Sequence, residues 1–525
     1  MKKLTLIIIL ISLVLIFISP LLNTVAVRRL FDSEQETFIP TFREVPIDFV
    51  HEHTLPGHGF AGGAVIDIDN DGVQEVFVGG SVGQPDALFS YKNGEFKNII
   101  EGTGLSNIEE GTYGALSIDS DNDGDIDLFI ARDSGVYMYI NRDKIFSETK
   151  IELELEKNTI PIAIASGDIN KDGLIDLYIS TFIDPPNFKA ATFNDIDHGK
   201  LNIMLLNKGD NTFQDITASS GLLLKQNTFV SSFIDLDNDG WLDLVLSPNT
   251  DSVKIYKNLR NLTFEEISSP TVYGFWMGMA VGDIDNDGDM DLFFSNAGKT
   301  IPKRFLMGDI RDDQSLDLKW KLLRNDGNFV FTDITKEKGV QKDEFAWGAI
   351  FEDFNLDGLQ DLMVAENFVK WFPHKLIKNP GRFFVQRSNG NFVSTENISG
   401  VVNKYFGQSP LIADFNRDGY PDIIYVNFDG PLRAFLNEGG NNNYVAVSLQ
   451  DIAESIGARV IVEKINGTRL TKQVITSTGL VTDQTPELFF GLGSDTDIRS
   501  IEVIWPSGRV EIIDDVQINS RIIIN

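Results

Sequence analysis

Seven copies of one nine-residue loop constrain this chain more than anything else in it. They read DIDNDGVQE from Asp67, DSDNDGDID from Asp119, DINKDGLID from Asp168, DLDNDGWLD from Asp235, DIDNDGDMD from Asp283, DFNLDGLQD from Asp353 and DFNRDGYPD from Asp414. All fit D-x-[DN]-x-D-G-x-x-[DE]. Three or four carboxylates in so tight a turn raise one another's pKa and strain the fold unless a cation lies among them. Alternating oxygens at the first, third and fifth places converge on one ion when the glycine at the sixth takes a backbone shape closed to other residues. A main-chain carbonyl at the seventh place and the carboxylate at the ninth bring the shell to six or seven oxygens. Such a shell favours calcium over magnesium, which prefers a smaller octahedron with several waters, and over zinc, which prefers nitrogen or sulfur. The expected ligands, for up to seven Ca2+ ions, are Asp67, Asp69, Asp71 and Glu75; Asp119, Asp121, Asp123 and Asp127; Asp168, Asn170, Asp172 and Asp176; Asp235, Asp237, Asp239 and Asp243; Asp283, Asp285, Asp287 and Asp291; Asp353, Asn355, Asp357 and Asp361; Asp414, Asn416, Asp418 and Asp422.

One such turn reads equally well as a bare hairpin turn, but seven in register point to ions. The copies at Asp119, Asp235 and Asp283 carry Asp at all four side-chain positions, so they are expected to bind tightest. Those at Asp168, Asp353 and Asp414 have Asn at the third place, and the first loop ends in the longer Glu75. Flanking sequence sets the fold. "AGGAVIDIDNDGVQEVFVGG" and "SSFIDLDNDGWLDLVLSP" read as strand, loop, strand, rich in β-branched and aromatic residues and without a helical period, which excludes an EF-hand. Loop starts lie 52, 49, 67, 48, 70 and 61 residues apart. A unit of that size accommodates four short strands, one propeller blade. The expected fold is all-β: a seven-bladed β-propeller with calcium-binding hairpin loops, followed by a small C-terminal β-domain. "TFREVPIDFV" looks like the end of a unit without its beginning, and is expected to complete the last blade and close the ring.

The loop motif behind an aromatic, small-residue lead, as in "TYGALSID" and "FAWGAIFED", resembles the FG-GAP/VCBS repeats of integrin-type propellers. "IDFVHEHT" is similar to the entry to the first repeat in bacterial proteins of the cartilage acidic protein type. The resemblance implies loops gathered on one face of a ring and holding calcium. It covers roughly residues 40 to 440, within a propeller assigned to residues 31–440. From Asn441 onward no further loop occurs. The spacing of Ile456-Gly457-Ala458-Arg459, Gly491-Leu492-Gly493 and Trp505-Pro506-Ser507-Gly508 is similar to the ASPIC/UnbV domain, assigned to residues 441–525. In that domain Trp505 is expected to be a core anchor rather than a ligand platform. The resemblance supplies no chemistry for this domain.

About a third of the 77 acidic residues lie in the loops, and the formal charge is −32. A nucleic-acid partner would need a basic face, so DNA and RNA are excluded. Absence of cysteine excludes disulfides and thiol chemistry. Lys2 and Lys3 precede an uncharged run from Leu4 to Leu22. Residues 1–30 therefore read as a signal peptide or an N-terminal membrane anchor, and either places the rest of the chain outside the cytoplasm. No G-x-S-x-G elbow, P-loop or dinucleotide fingerprint is present. His51, His53 and His58 with Glu52 would be a metal or general-base site only with a further ligand; otherwise they are a lead-in to the first blade. The expected function is a non-catalytic calcium-binding adhesion module for an extracellular or envelope protein or glycan. The alternative is a propeller-based polysaccharide lyase or hydrolase with structural calcium. Two insertions, "FIDPPNFKAATFNDIDHG" and "GKTIPKRFLMGDIRDDQSLDLKW", are candidate recognition loops.

Overall fold

Runs of β-branched and aromatic residues flank every acidic loop, and each loop becomes the connection between two antiparallel strands. A computed structural model describes residues 37–53, 59–299, 301–366, 368–371, 375–449, 452–475 and 477–524. The expected export or anchor segment and His58 lie outside the described residues. Among those described, no helix is long and apolar enough to cross a membrane.

The strands before the loops are Gly63–Ile66, Thr112–Ile118, Thr159–Gly167, Thr228–Ile234, Met279–Gly282, Ala346–Glu352 and Gly407–Ala413. The strands after them begin on the ninth loop residue: Glu75–Val78, Asp127–Arg132, Asp176–Ile183, Asp243–Pro248, Asp291–Phe294, Asp361–Glu366 and Asp422–Asn427. With two further strands each, they build seven antiparallel sheets among the described residues, six of four strands and the first extended by a fifth, parallel strand. In the seventh, Phe42–Val50 pairs with Pro431–Asn437, Phe42 opposite Asn437. The start of the described chain thus supplies the outer strand of the last propeller sheet.

Second strands such as Asp127–Arg132 are buried at every residue, whereas an outer strand such as Glu95–Asn98 buries only Phe96. That gradient is what sheets stacked face to face around an axis require. First strands of successive sheets approach closely. A Cβ on Gly114 would lie 2.1 Å from the Ile162 carbonyl oxygen, and one on Gly278 2.3 Å from that of Trp347, so the small residue in each lead is a packing requirement. Ala61 N donates to Gln408 Oε1 at 2.6 Å, joining the first sheet to the seventh.

The last stretch forms two sheets. Asn443–Leu449 lies between Leu488–Gly493 and Ser520–Ile524, and Arg459–Lys464 lies between Arg469–Gln473 and Ile498–Ile504, which also carries Val510–Ile513. Val445, Phe490, Val503 and Trp505 share a core with Ile169 and Leu242 of the propeller. Trp505 is 1% exposed, a core anchor. Residues 478–485 lie apart from these sheets, among the first strands of the propeller. Thr482 and Asp483 pair in parallel with Gly63 and Ala64, and Gly479 and Met279 exchange two backbone hydrogen bonds of 3.1 and 2.9 Å. Ser117 donates to Asp483 Oδ2 through its N (2.9 Å) and Oγ (2.7 Å), and Ile412 N donates to Gln484 Oε1 at 3.1 Å. Leu480 and Val481 pack among Phe60, Phe229 and Trp347.

Candidate metal centre

The seven loops share one hydrogen-bond scheme. The first aspartate accepts from the backbone N–H groups of the fifth and sixth residues, at 2.6 to 3.3 Å throughout. The fifth accepts from the seventh, as in Trp241 N to Asp239 Oδ1 at 2.9 Å. The sixth-place glycines have φ from 78° to 95°. The fourth residues, Asn70, Asn122, Lys171, Asn238, Asn286, Leu356 and Arg417, are left-handed too, with φ from 56° to 61°. Two left-handed residues curl the chain until its acidic side chains face inward.

In four loops three carboxylates bring one oxygen each within 4.8 Å of one another: Asp67, Asp69 and Asp71; Asp119, Asp121 and Asp127; Asp235, Asp237 and Asp239; Asp283, Asp285 and Asp291. At Asp69, Asp121 and Asp237 the Oδ1 atom is buried without a hydrogen-bond partner. A carboxylate oxygen in that state is costly unless a cation meets it, so these residues fit a hard divalent ion. In the asparagine loops the third-place amide donates to the fifth-place carboxylate. Asn170 Nδ2 donates to Asp172 Oδ2 at 2.9 Å, Asn355 to Asp357 at 3.0 Å and Asn416 to Asp418 at 2.9 Å. Burial, with the crowding of neighbouring acids, pushes Asp127 and Asp235 to about 6, Asp283 to about 7, and Asp176 and Asp243 to about 8. Burial also raises Glu75 to about 7. Basic side chains reach the rims of three loops. Lys144 pairs with Asp69, Arg142 with Asp121 (2.7 Å) and Asp123 (2.5 Å), Lys257 with Asp237, and Arg260 with Asp239 (2.7 Å).

The ninth residue anchors each loop to its sheet. Its carboxylate accepts from the second loop residue and, in six units, from the N–H closing the third strand, at 2.7 to 2.9 Å. Those closing residues, Asn141, Asn207, Asn258, Asn325, Gln386 and Asn437, were missed by motif reasoning. Asn258 Nδ2 donates to Leu242 O in its own unit (3.1 Å) and to Ile169 O of the preceding loop (2.9 Å). Asn141, Asn325, Gln386 and Asn437 reach the preceding loop in the same way, at Ile68, Leu236, Ile284 and Phe354. The signal was an amide recurring at the end of "YIN", "LLN", "YKN", "LRN", "FLN" and, as Gln, "FVQ". Loops also touch their successors. Asn70 Nδ2 donates to Gly124 O at 2.9 Å and Asn122 to Gly173 O at 3.2 Å, and Arg417 Nη1 donates to Asp71 O at 2.9 Å, linking the seventh loop to the first.

The C-terminal sheets sit on the later loops. Gln473 Oε1 accepts from Asp235 N at 3.1 Å, Asn442 Nδ2 donates to Asn355 O at 2.8 Å, and Gly493 N to Leu356 O at 2.9 Å. Arg521 pairs with Asp414 Oδ2 at 2.5 Å and with Glu487 at 2.9 Å, and Lys472 pairs with Glu352. A Cβ on Gly491 would fall 2.1 Å from Asp353 Oδ2. Of the histidines, His51 is buried against Phe428 and accepts from Asp429 N through Nδ1 at 3.2 Å, and the His53 ring packs against the same phenyl, tilted by 52°, at 4.5 Å between centroids. These two serve the junction of the first and seventh sheets.

Comparison with known proteins agrees with this organisation. The FG-GAP-like repeat model matches residues 119–179 and 235–294, and the ASPIC and UnbV model matches residues 450–525. Human cartilage acidic protein 1 is 23% identical over 478 residues, covering 85% of this chain, which spans 59% of that protein's length. Human integrin alpha-7 is 26% identical over 176 residues, 32% of this chain and 14% of its own. A crystal structure of the rhamnogalacturonan lyase YesW superposes with a TM-score of 0.42 at 13% identity, covering 76% of each chain. A likeness that distant leaves the fold to be read from the strands themselves.

Proposed function

We propose that this chain, which carries FG-GAP-like repeats and an ASPIC/UnbV domain, is an extracytoplasmic propeller held in shape by calcium and acting as a non-catalytic binding module for a protein or glycan. The observation that carries the reading is the set of buried, unpartnered oxygens of Asp69, Asp121 and Asp237 inside loops already folded around them. The first, third, fifth and ninth side chains of each loop would hold the ion, which supplies positive charge and oxygen coordination in place of water. The first, fifth and ninth carboxylates of the loops also receive backbone hydrogen bonds, so these acids are committed to structure rather than to proton transfer. Export is supported by Lys2 and Lys3 ahead of the apolar run from Leu4 to Leu22. Seven sheets bearing their loops at one end leave the other end free for recognition.

Thermal unfolding of the purified full chain tests the ions. A saturable rise in melting temperature with calcium, not reproduced by magnesium and abolished by chelator, is expected, because a ligand that binds only the folded state stabilises it by mass action. No shift would remove the calcium reading. Incubation with a polysaccharide panel tests catalysis. New reducing or unsaturated ends would replace the binding module by the lyase or hydrolase alternative.

A further inference from the structure

The two insertions that lengthen the third and fifth units meet at the strand ends remote from the acidic loops. Phe193 N and Asn194 N donate to the two oxygens of Asp309 at 2.5 and 3.0 Å, and Asn194 Nδ2 donates to Asp309 O at 2.8 Å. The amides of Asn194 and Gln314 exchange hydrogen bonds of 3.0 and 2.9 Å. Gly308 packs so tightly on Ala191 that a Cβ there would lie 1.6 Å from its carbonyl oxygen. Each insertion fixes the other, so the surface beside them is held in one shape before any partner arrives.

Beside this brace lies a cavity of about 560 Å3, walled by residues 192–196, 198, 199 and 201 on one side and by 223, 225–227 and Thr250 on the other. That volume is in the range of sites that enclose a side chain or a small ligand. Ile196 and Leu223, the two most exposed large aliphatic residues among those described at 72% and 66%, both line it. Scattered exposed aliphatics need no explanation, but two converging on one rigid cavity mark a contact surface. The aromatic rings nearby are already in use. Phe193 packs edge-on against Tyr273 and Phe275, and the His198 ring faces Phe188 at 5.7 Å. The His198 Nε2 accepts from Lys189 N at 2.9 Å, which fixes the ring in the wall. A sugar ring would want an open aromatic face, and the cavity offers branched aliphatic ones. The acids at its mouth are Asp195, which lines it, and the exposed Asp197 beside it, while Lys225, which also lines it, has its charge paired with Glu156 at 2.5 Å.

Resting on the binding-module reading, we infer that this cavity between the third and fourth sheets recognises an extended protein segment, taking one aliphatic side chain between Ile196 and Leu223 and an adjacent basic side chain at Asp195. The partner is a protein rather than a glycan or a second copy of this chain, whose own charge of −32 opposes self-association at an acidic mouth.

The test uses calcium-loaded full chain and fluorescent nonapeptide libraries with a fixed central Leu flanked by Lys, the same Leu flanked by Asp, and a central Ser flanked by Lys. Anisotropy is expected to show the Lys-flanked Leu library binding at least about tenfold more tightly than either other. The Ile196→Ser, Leu223→Ser double variant, changed only at exposed positions, is expected to lose that preference while its melting temperature stays put. Absence of binding, equal binding of all libraries, unaltered binding by the double variant, displacement by oligosaccharides, or a dimer dissolved by the double variant would each overturn the inference. Failure of the underlying reading is separately visible, as a calcium-independent melting temperature or as polysaccharide cleavage.

Discussion

At the scale of single residues, side chains that a motif search treats as chemistry are often structural parts. Asp243 opens its strand, accepts from Leu236 N and Asn258 N with its two oxygens, and has its pKa pushed up to about 8 by burial, so it fastens the loop to its sheet. His51, a candidate ligand by sequence, is 1% exposed and neutral, its pKa lowered by burial and then by His53 to about 4. An imidazole whose folded pKa lies below its unfolded value of about 6.5 contributes stability that is present above that value and lost as pH falls toward the folded one. Between pH 7 and pH 5 this one group should cost on the order of 2 kcal/mol. Denaturant midpoints of wild type and His51→Gln at the two pH values check it: the variant should lose less on acidification, and an identical loss would assign the acid sensitivity elsewhere. The glycine at the sixth loop position was legible in the sequence because that conformation admits little else. The left-handed fourth position was not, because Asn, Lys, Leu and Arg all occupy it and no residue type announces it.

Among elements, loops and strands were legible because their signal is local. An acidic nonapeptide between apolar runs can only join neighbouring strands of a hairpin, and the "TFREVPIDFV" segment revealed its missing partners by lacking them. Contacts between sheets were not legible, because their partners lie far off in the chain. Asn258 recurs in register with Asn207 and Asn325, which marks it as a repeat position, yet its acceptor Ile169 O lies 89 residues earlier. Replacing Asn258 by Ala would leave two buried carbonyls and the Arg260 N–H without the amide, while the backbone N–H at 258 still donates to Asp243. At about 1–3 kcal/mol for each orphaned group, the loss should be on the order of 2–5 kcal/mol. Asn258→Gln should recover part of it, since Gln386 bridges to Ile284 at the corresponding place in the sixth unit. Equilibrium unfolding of both variants decides the matter, and an Ala variant as stable as wild type would show that water replaces the amide and that the bridge between sheets is dispensable.

Across the whole molecule, the boundary near residue 440 divides the sequence more cleanly than it divides the structure. The last stretch is a pair of small sheets, as its Gly and Pro turns suggest, but residues 478–485 lie inside the ring, hydrogen-bonded to first strands of the first, second, fifth and seventh sheets. Nothing local marks them for that role, since pairing Asp483 with Ala64 joins opposite ends of the chain. The same domain brings Lys472 to Glu352 beside the sixth loop and the Arg521 guanidinium to Asp414 of the seventh. On the calcium reading proposed above, chelation leaves the loops with uncompensated negative charge, and contacts that seat the domain are made to those loops. Chelation should therefore release the domain and its inserted segment before the propeller sheets open. In hydrogen exchange on the full chain, amides of 478–485 should match the first strands in protection with calcium, and exchange at least about tenfold faster in chelator while the buried second strands remain protected. Arg521→Met leaves the buried Asp414 and Glu487 without their shared cation, a loss on the order of 3–5 kcal/mol at the docking surface, and should produce the same local exposure with calcium present. Protection of 478–485 that survives both treatments would mean that the inserted segment holds the ring by itself, and that ions and domain stabilise the propeller independently.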